Sequence, residues 1–237
     1  GMRPSPYTSA SSLDDAAAMA KGRGIRRDTI SIEPAMTAFD EMTKEIFVEH
    51  ASDTTEENIQ ARSRGITLMA LSNKFGYMVL STGNKSEMSV GYATLYGDMC
   101  GGFSVLKDVY KTDVYALSRW RNEHHPKGVL GPAGVVIPEH VLTRAPSAEL
   151  KPNQTDQDSL PPYDELDDIL KCLIEDDMSL EKIIDRGHDG AMVKKVWRMV
   201  EGAEYKRRQA PPGVRVSRRA FGRDRRYPIT NHFKGPS

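Results

Sequence analysis

The stretch from residue 80 to residue 98 constrains the fold most, because an apolar segment passes there directly into a run of polar residues. Residues 77–80 are apolar, as in a short buried strand, and Ser-Thr-Gly-Asn follows them. Ser86 and Glu87 then begin a predicted short helix. In open α/β sheets such a crossing lies at the carboxyl end of a strand, where ligands bind, and helix N-termini offer free N–H groups to anions. An ordinary loop capped by Ser86 is the alternative, and the composition of this stretch favours neither.

The rest of the chain alternates between predicted strands and predicted helices. Short β-branched or apolar runs predict strands at 29–33, 77–80 and 103–106. Apolar residues at helical spacing predict helices at 12–22, 36–47, 54–74, 163–174 and 190–202, and one more from residue 112. Two capping boxes, Ser12-x-x-Asp15 and Thr54-x-x-Glu57, mark helix starts. Strands separated by helices are typical of a parallel sheet, so the pattern predicts an α/β fold with a helical carboxy-terminal part.

The chain of 237 residues has room for one large domain. We expect a core over residues 2–146, a flap loop over 147–162, and a helical region with a basic tail over 163–237 of the same domain. The loop is rich in proline and polar residues, and long loops of this kind are often functional. Residues 156–185 hold eleven acids against two lysines, whereas residues 206–226 hold nine bases against Asp224 alone. This polarity indicates a solvated acidic helix followed by a basic arm.

Composition excludes several classes of protein. The formal net charge is zero, and no run approaches the roughly 18 apolar residues of a membrane span. The amino terminus lacks the pattern of a signal peptide. Cys100 and Cys172 make neither a disulfide framework nor a metal-ligand spacing, so we expect a cytoplasmic protein. The basic tail has few interleaved aromatic residues, and we expect no nucleic acid partner.

Six ordered blocks of sequence carry a resemblance to a known family. They are Ser81-Thr-Gly-Asn-Lys-Ser-Glu87 with Val90-Gly-Tyr-Ala-Thr-Leu-Tyr-Gly-Asp98, Leu106-Lys-Asp-Val-Tyr-Lys-Thr112, Pro146-Ser-Ala-Glu-Leu150, Gln154-Thr-Asp156 with Ser159-Leu-Pro-Pro-Tyr163, Glu204-Tyr-Lys-Arg-Arg-Gln-Ala-Pro211, and Arg219-Ala-Phe-Gly-Arg-Asp-Arg-Arg226 with Pro228-Ile-Thr-Asn231. Together they resemble the synthetase domain of NAD⁺ synthases, in the glutamine-dependent bacterial branch. The resemblance implies an incomplete Rossmann-like sheet of the adenine nucleotide alpha hydrolase-like type, parallel and flanked by helices.

The resemblance also implies a carbon–nitrogen ligase reaction in two steps. The carboxylate of nicotinic acid adenine dinucleotide attacks the α-phosphate of ATP, and pyrophosphate leaves. Ammonia, released from glutamine by an amidase domain, then displaces AMP and gives NAD⁺. ATP and Mg²⁺ are the implied cofactors, because the triphosphate charge must be offset during transfer. Members of the family form homodimers, so a homo-oligomer is expected.

Four residues match positions that the family uses for ATP and metal. Thr82 matches a threonine that contacts ATP, and Lys111 matches a catalytic lysine on the phosphates, where a point charge on a flexible stem is suited to triphosphate. Ser147 matches a hydroxyl of the flap over the phosphates. Glu87 matches the acid that contacts both Mg²⁺ and the dinucleotide.

Four further residues match positions that contact the dinucleotide. Asn58 and Arg62 lie one helical turn apart on the predicted helix 54–74, and Lys206 matches a late substrate-binding lysine. Asp98 matches a catalytic acid beside the substrate and the ammonia site.

The sequence departs from the family in one respect. The pyrophosphate-binding loop Ser-Gly-Gly-x-Asp-Ser occurs nowhere in the chain, and neither does an amidase domain. We therefore expect the isolated chain to be inactive. Without the strand that carries that loop, we expect the sheet to re-pair, to use a partner chain, or to be marginally stable, because unpaired buried backbone is costly.

Two other functions stay open. The chain could be a non-catalytic module that binds nucleotide or assists assembly. A related ATP-pyrophosphatase that amidates or thiolates another substrate is disfavoured by the tail block and by the Thr-Gly-Asn-Lys-Ser-Glu block. The tail itself is expected to contact another subunit or an anion.

Overall fold

The computed structural model describes residues 2–230 and 233, and the fold is α/β. The chain divides into two compact units, each made of two separate stretches. The first unit comprises Gly1–Ile66 and Asp113–Ser159, and the second comprises Thr67–Thr112 and Leu160–Ser237. The boundaries expected from sequence at residues 146 and 162 stay a prediction. Among the described residues, no helix combines the length and the apolar character that crossing a bilayer requires.

The first unit is mainly helical. Its elements are α1 (Ala10–Gly22), α2 (Glu33–Phe47), the first part of α3 (Thr54–Phe75), most of α5 (Lys111–Glu123), α6 (Glu139–Thr143) and a 3₁₀ turn (Asp156–Asp158). The N-cap of helix α1 lies three residues before Ser12, the first residue of the predicted capping box. Ser9 has extended backbone, and its side chain accepts a hydrogen bond from the Ser12 amide at 3.1 Å. Ser9 is therefore the N-cap, and the prediction of a start at Ser12 was wrong.

The strand predicted at residues 29–33 does not form. Thr29 forms a single parallel bridge with Met2, and the amides of Ile30 and Ile32 donate to Met2 O at 2.8 Å and to Pro4 O at 3.1 Å without forming a strand. Pro34 does not end a strand but lies in the first turn of α2, where its missing N–H costs nothing.

The second predicted capping box is also shifted by one residue: Asp53 accepts from the Thr55 amide at 2.7 Å, and Glu56 accepts from the Asp53 amide at 2.8 Å.

The predicted helical spacing of α2 is confirmed, but its apolar side is not covered within the described residues. Phe39, Met42 and Ile46 have exposed fractions of 41%, 72% and 74%. The pattern therefore predicted the helix correctly without predicting burial.

The second unit contains a small parallel sheet. Strand β1 (Leu80–Ser81) pairs with β2 (Phe103–Ser104), Leu80 lying opposite Phe103 and Ser81 opposite Ser104. Both strands are shorter than predicted, because residues 77–79 have no ladder partner among the described residues. An isolated parallel bridge joins Ser104 to Gly213, so a segment of the tail lies beside β2. The expectation that the sheet re-pairs, uses a partner chain or is marginally stable stays a prediction.

Helices from the carboxy-terminal half supply the core of the second unit. They are α7 (Tyr163–Leu170), a π-helical turn (Lys171–Glu175), α8 (Leu180–Asp185), α9 (Gly190–Gly202) and α10 (Glu204–Arg207). The largest fully buried apolar side chains of these elements are Leu166, Ile169, Leu170, Ile174, Ile183, Val193, Val196 and Val200. Each contributes about 1.5–3 kcal/mol by burial. The predicted bounds of α9 are confirmed, whereas the predicted helix 163–174 changes to π geometry at Lys171.

The basic tail is packed against this core. Phe221 and Tyr227 are buried in it, and the Arg207 guanidinium lies 4.6 Å from the Phe221 ring centroid and 5.1 Å from the Tyr227 centroid. Asp177 accepts from Arg225 at 2.6 Å and lies 3.4 Å from Arg219. Several bases of residues 215–227 therefore pair within the chain, whereas the expected contact of the tail with another subunit or an anion stays a prediction. The last residue of the block ending at Asn231 lies outside the described residues.

Candidate active site

The site begins at the first turn of α4 (Lys85–Val90), directly after β1. Asn84 has extended backbone, and its Oδ1 accepts from the Glu87 amide at 3.0 Å. Glu87 reciprocates, its Oε2 accepting from the Asn84 amide at 3.2 Å. This capping box shows that Asn84, and not Ser86, is the N-cap. Such a cap contributes about 1 kcal/mol and fixes the Glu87 carboxylate at the helix start.

The second oxygen of that carboxylate faces a lysine. Glu87 Oε1 lies 3.5 Å from Lys111 Nζ, and the two side chains have exposed fractions of 20% and 19%. The ammonium of Lys111 also lies 5.3 Å from the centroid of the Tyr163 ring. Glu87 is thus fixed by its capping hydrogen bond, and Lys111 by its contact with the Tyr163 ring. Both side chains are still partly accessible to solvent. An anionic ligand can reach the ammonium, and a cation can reach the carboxylate.

Thr82 and Asp98 lie near the end of β1. Thr82 is exposed in the turn between β1 and α4. Asp98 is exposed too, and its Oδ1 accepts from the Thr94 amide at 2.7 Å. Its main-chain oxygen accepts from Ser81 Oγ at 3.2 Å, which ties the Asp98 loop to the strand. The hydroxyl of Thr82 and the carboxylate of Asp98 are thus both presented at the carboxyl end of the sheet.

Lys206 is fixed on the loop that follows α4. Its Nζ donates to Gly91 O at 2.7 Å and to Ala93 O at 2.6 Å. Burial lowers the pKa of Lys206, and the charge of Asp98 offsets only part of that effect. Two of the three N–H groups of this ammonium therefore support the loop, and the third can meet a ligand.

Three sequence-predicted residues lie in the first unit. Asn58 is partly buried and Arg62 is exposed, both on α3. Ser147 Oγ accepts from the Glu149 amide at 3.1 Å. Glu149 has a positive φ of 52°, and its carboxylate accepts from Ser9, Ser12 and Arg144. The start of the flap loop is therefore held by a strained residue with three hydrogen-bond donors.

Sequence reasoning missed two buried charged residues next to the site. Lys85 is completely buried: its Nζ lies 2.9 Å from Asp108 Oδ1 and donates to Glu175, to Ser217 and to Arg219 O at 2.8 Å. Asp167 of α7 is 1% exposed. The sequence shows only that Lys85 lies between Asn84 and Ser86 in a polar motif, and such a motif carries no information on burial.

The side chains of this site can be compared with the ligands that Mg²⁺ takes in proteins. Among residues 2–230 and 233, no group of three or more His, Cys, Asp or Glu side chains is arranged to hold a metal ion. Mg²⁺ commonly binds one or two carboxylates together with phosphate oxygens. The partly exposed carboxylate of Glu87 is suited to that role as a single protein ligand. The residues present therefore fit a magnesium ion that arrives with a polyphosphate.

The chain matches known proteins over nearly its whole length. Residues 2–210 match the family model described as NAD synthase. Curated glutamine-dependent NAD(+) synthetases are 51% identical over 236 residues in Rhodobacter capsulatus and 52% identical over 235 residues in Thermotoga maritima. These matches cover 100% and 99% of the chain but only 43% and 40% of the relatives. The chain thus spans roughly two fifths of the length of the curated relatives it matches.

Solved structures give the same result. The glutamine-dependent NAD+ synthetase of Acinetobacter baumannii, solved in complex with ADP, is 49% identical with a TM-score of 0.57, covering 96% of this chain and 39% of that one. The counterpart from Cytophaga hutchinsonii, 20% identical, has a TM-score of 0.77 and shows the likeness of fold alone, over 97% of this chain and 38% of that one. From the family model and these relatives, the chain belongs to the NAD synthase family.

Proposed function

We propose that this chain forms the part of a glutamine-dependent NAD⁺ synthase that binds ATP and nicotinic acid adenine dinucleotide and joins ammonia to the activated carboxylate. The observation that carries the proposal is the Glu87–Lys111 pair at the carboxyl end of a parallel strand, in a chain 51% identical to a glutamine-dependent NAD(+) synthetase. The ADP bound by the A. baumannii relative supports an adenine nucleotide as ligand.

In this proposal the accessible ammonium of Lys111 binds phosphate oxygens and offsets the charge that develops as pyrophosphate leaves. Thr82 donates its hydroxyl to ATP, and Ser147 of the flap loop does the same. Glu87 would hold Mg²⁺, which would supply Lewis-acid polarisation of phosphoryl oxygens. Glu87 thereby orients the nucleotide from the helix start.

The second step requires neutral ammonia next to the activated carboxylate. Asp98 is exposed beside the loop that Lys206 fixes, and its carboxylate can accept a proton from an ammonium ion. Lys206, Asn58 and Arg62 are the proposed contacts of the dinucleotide. Its negatively charged groups suit the two cations, and the amide of Asn58 can donate or accept hydrogen bonds.

Binding of Mg²⁺-ATP tests the first part of the proposal. Isothermal titration calorimetry is expected to detect binding by the chain and a roughly ten- to hundredfold loss in Lys111→Met, because a hydrogen bond to a charged group contributes about 1.5–3 kcal/mol. Lys74→Met, at an exposed lysine at the end of α3, is the matched control and should bind as the parent does. A chain that binds neither ATP nor the dinucleotide would favour the non-catalytic assembly module.

Synthesis of NAD⁺ by the isolated chain tests the second part. With the deamido dinucleotide, ATP, Mg²⁺ and ammonium supplied, we expect no NAD⁺ above background, because these 237 residues contain no Ser-Gly-Gly-x-Asp-Ser loop to hold the pyrophosphate. Coupled alcohol dehydrogenase detects NAD⁺ directly. Turnover that is lost in Lys111→Met would contradict the expected inactivity while supporting the assigned site.

Three further points belong to the proposal. Glutamine-derived ammonia from an amidase domain is the proposed nitrogen source, the cytoplasm the proposed location and a homodimer the proposed assembly. Sedimentation equilibrium of the purified chain tests the assembly, and a concentration-independent monomer mass would contradict it.

A further inference from the structure

One side of helix α7 faces the segment that carries Lys111. Tyr163, Asp167 and Lys171 are spaced four residues apart, so their side chains project from the same side of α7 and its continuation. The Tyr163 ring lies under the Lys111 ammonium at 5.3 Å, and Lys171 Nζ lies 5.2 Å from the Tyr110 ring centroid. Asp167 lies between these two contacts. Three side chains of one helix thus meet three consecutive residues, 110–112.

Both oxygens of Asp167 are used, although the residue is only 1% exposed. Oδ2 accepts from the Thr112 amide at 2.9 Å and from the Thr112 hydroxyl at 2.8 Å. Oδ1 accepts from the Ser86 hydroxyl. Ser86 Oγ in turn accepts from the Lys111 amide at 2.9 Å. The carboxylate therefore joins the first turn of α4 to the first turn of α5 through three hydrogen bonds, and the bond from the Lys111 amide to Ser86 joins them directly.

The residues so joined are the immediate neighbours of the Glu87–Lys111 pair. Ser86 precedes Glu87, and Thr112 follows Lys111. We propose that Asp167 is a positioning residue of this site: together with Tyr163 it holds the Lys111 ammonium at the distance from Glu87 at which both can engage one nucleotide. The inference rests on the proposed function for the identity of the ligand, but the positioning itself does not depend on it.

The energetics favour a role in geometry over a role in stability. Burial raises the pKa of Asp167, and the hydrogen bonds from Ser86 and Thr112 only partly offset that effect. A buried carboxylate is therefore costly at this place, and an apolar side chain would pack at lower cost. What an apolar side chain cannot do is accept from an amide and two hydroxyls on two different helix starts.

Nuclear magnetic resonance on lysine labelled with carbon-13 at Cε tests the positioning in the intact 237-residue chain. The Lys111 signal, identified by its disappearance in Lys111→Arg, is expected upfield of exposed lysines because the ammonium lies over the Tyr163 ring. Tyr163→Leu should return it to the exposed position, which validates the reporter. Asp167→Asn should shift it in the same direction although the ring is still present, because an amide cannot accept from both Ser86 and Thr112.

Two further variants make the result decisive. Asp164→Asn changes an exposed acid of the same helix outside this set of hydrogen bonds, and it should leave the Lys111 signal in place. Ser86→Ala removes both the acceptor of the Lys111 amide and the donor to Asp167 Oδ1, and it serves if Asp167→Asn does not fold. A folded Asp167→Asn or Ser86→Ala chain with an unchanged Lys111 signal would overturn the proposal.

Calorimetry separates this inference from the proposed function. If Mg²⁺-ATP binds the parent chain, its affinity should fall about tenfold in Asp167→Asn, as is typical when a residue supporting a ligand-contacting group is lost. An unchanged affinity in a folded Asp167→Asn chain would count against the inference. If the parent chain binds no nucleotide, the proposed function fails, and the Lys111 signal still decides whether Asp167 positions it.

Discussion

Replacing Lys85 by methionine is expected to destabilise the second unit by about 3–5 kcal/mol, the cost of leaving buried charges without their partner. Lys85 is fully buried between the carboxylates of Asp108 and Glu175, with Ser217 Oγ and Arg219 O completing its contacts. Methionine fills a similar volume, so the loss arises from electrostatics and hydrogen bonding and not from a cavity.

The carboxylate of Asp108 explains why the effect is large. Burial alone would raise the pKa of Asp108, but hydrogen bonds from Ser217, Lys85 and the Val216 amide outweigh it and leave that pKa below its usual value. Asp108 is therefore ionised at neutral pH. Removing the ammonium leaves this charge facing Glu175 across a buried space, and repulsion adds to the lost attraction.

Urea unfolding followed by tryptophan fluorescence measures the effect. Trp120 belongs to the first unit and Trp197 to the second, so Trp120→Phe makes Trp197 the single reporter of the second unit. In that background Lys182→Met, at an exposed lysine of α8, is the control and should change the unfolding free energy by less than about 0.5 kcal/mol. A Lys85→Met loss as small as that of the control would show that the buried ion pairs contribute little.

The second large effect is expected for Gly213→Ala. A Cβ at Gly213 would lie 2.3 Å from Ser104 O and 3.0 Å from Lys107 Cβ, so the pairing of the tail with β2 would have to open. We expect a loss of about 3 kcal/mol, the upper part of the range for overpacking a fixed backbone contact.

The matched control for Gly213→Ala is Gly202→Ala, at the end of α9. A Cβ there meets nothing within 4 Å, and alanine favours helix by about 1 kcal/mol at most. The same fluorescence assay compares the two variants. If Gly213→Ala is as stable as Gly202→Ala, the close approach of Gly213 to Ser104 does not persist in solution.

Local sequence was sufficient where a local interaction decides the structure. Helix α9 was predicted at its observed bounds because its apolar residues follow the helical period, and in the structure Asp189 caps it. Local sequence was misleading where two interpretations of the same residue compete. Pro34 can end a strand or begin a helix, and tertiary context selected the helix. Ser9 and Ser12 are likewise two possible caps of α1, and in the structure Ser9 is the cap.

Only the site residues that lie in the recognised motifs could be predicted from the sequence. Glu87 and Lys111 were identified by resemblance, and the structure brings them within 3.5 Å of each other. What holds them there is Asp167, 81 positions after Ser86 in the chain, and no periodicity links the two. Lys85 could not be predicted as buried, because a lysine is expected at the surface unless its partners are known, and these lie far along the chain.

The distant partners of Lys85 also determine when the second unit can form during translation. Its hydrogen-bond acceptors in Glu175, Ser217 and Arg219 lie 90, 132 and 134 positions later in the sequence. At a synthesis rate of roughly 5–20 residues per second, the buried ammonium waits on the order of ten seconds for the last of them. Until then the nascent chain carries this charge without its full set of partners, so the unit cannot close ahead of its own tail. Cotranslational folding of the second unit therefore cannot be complete before residues 217–219 have been synthesised.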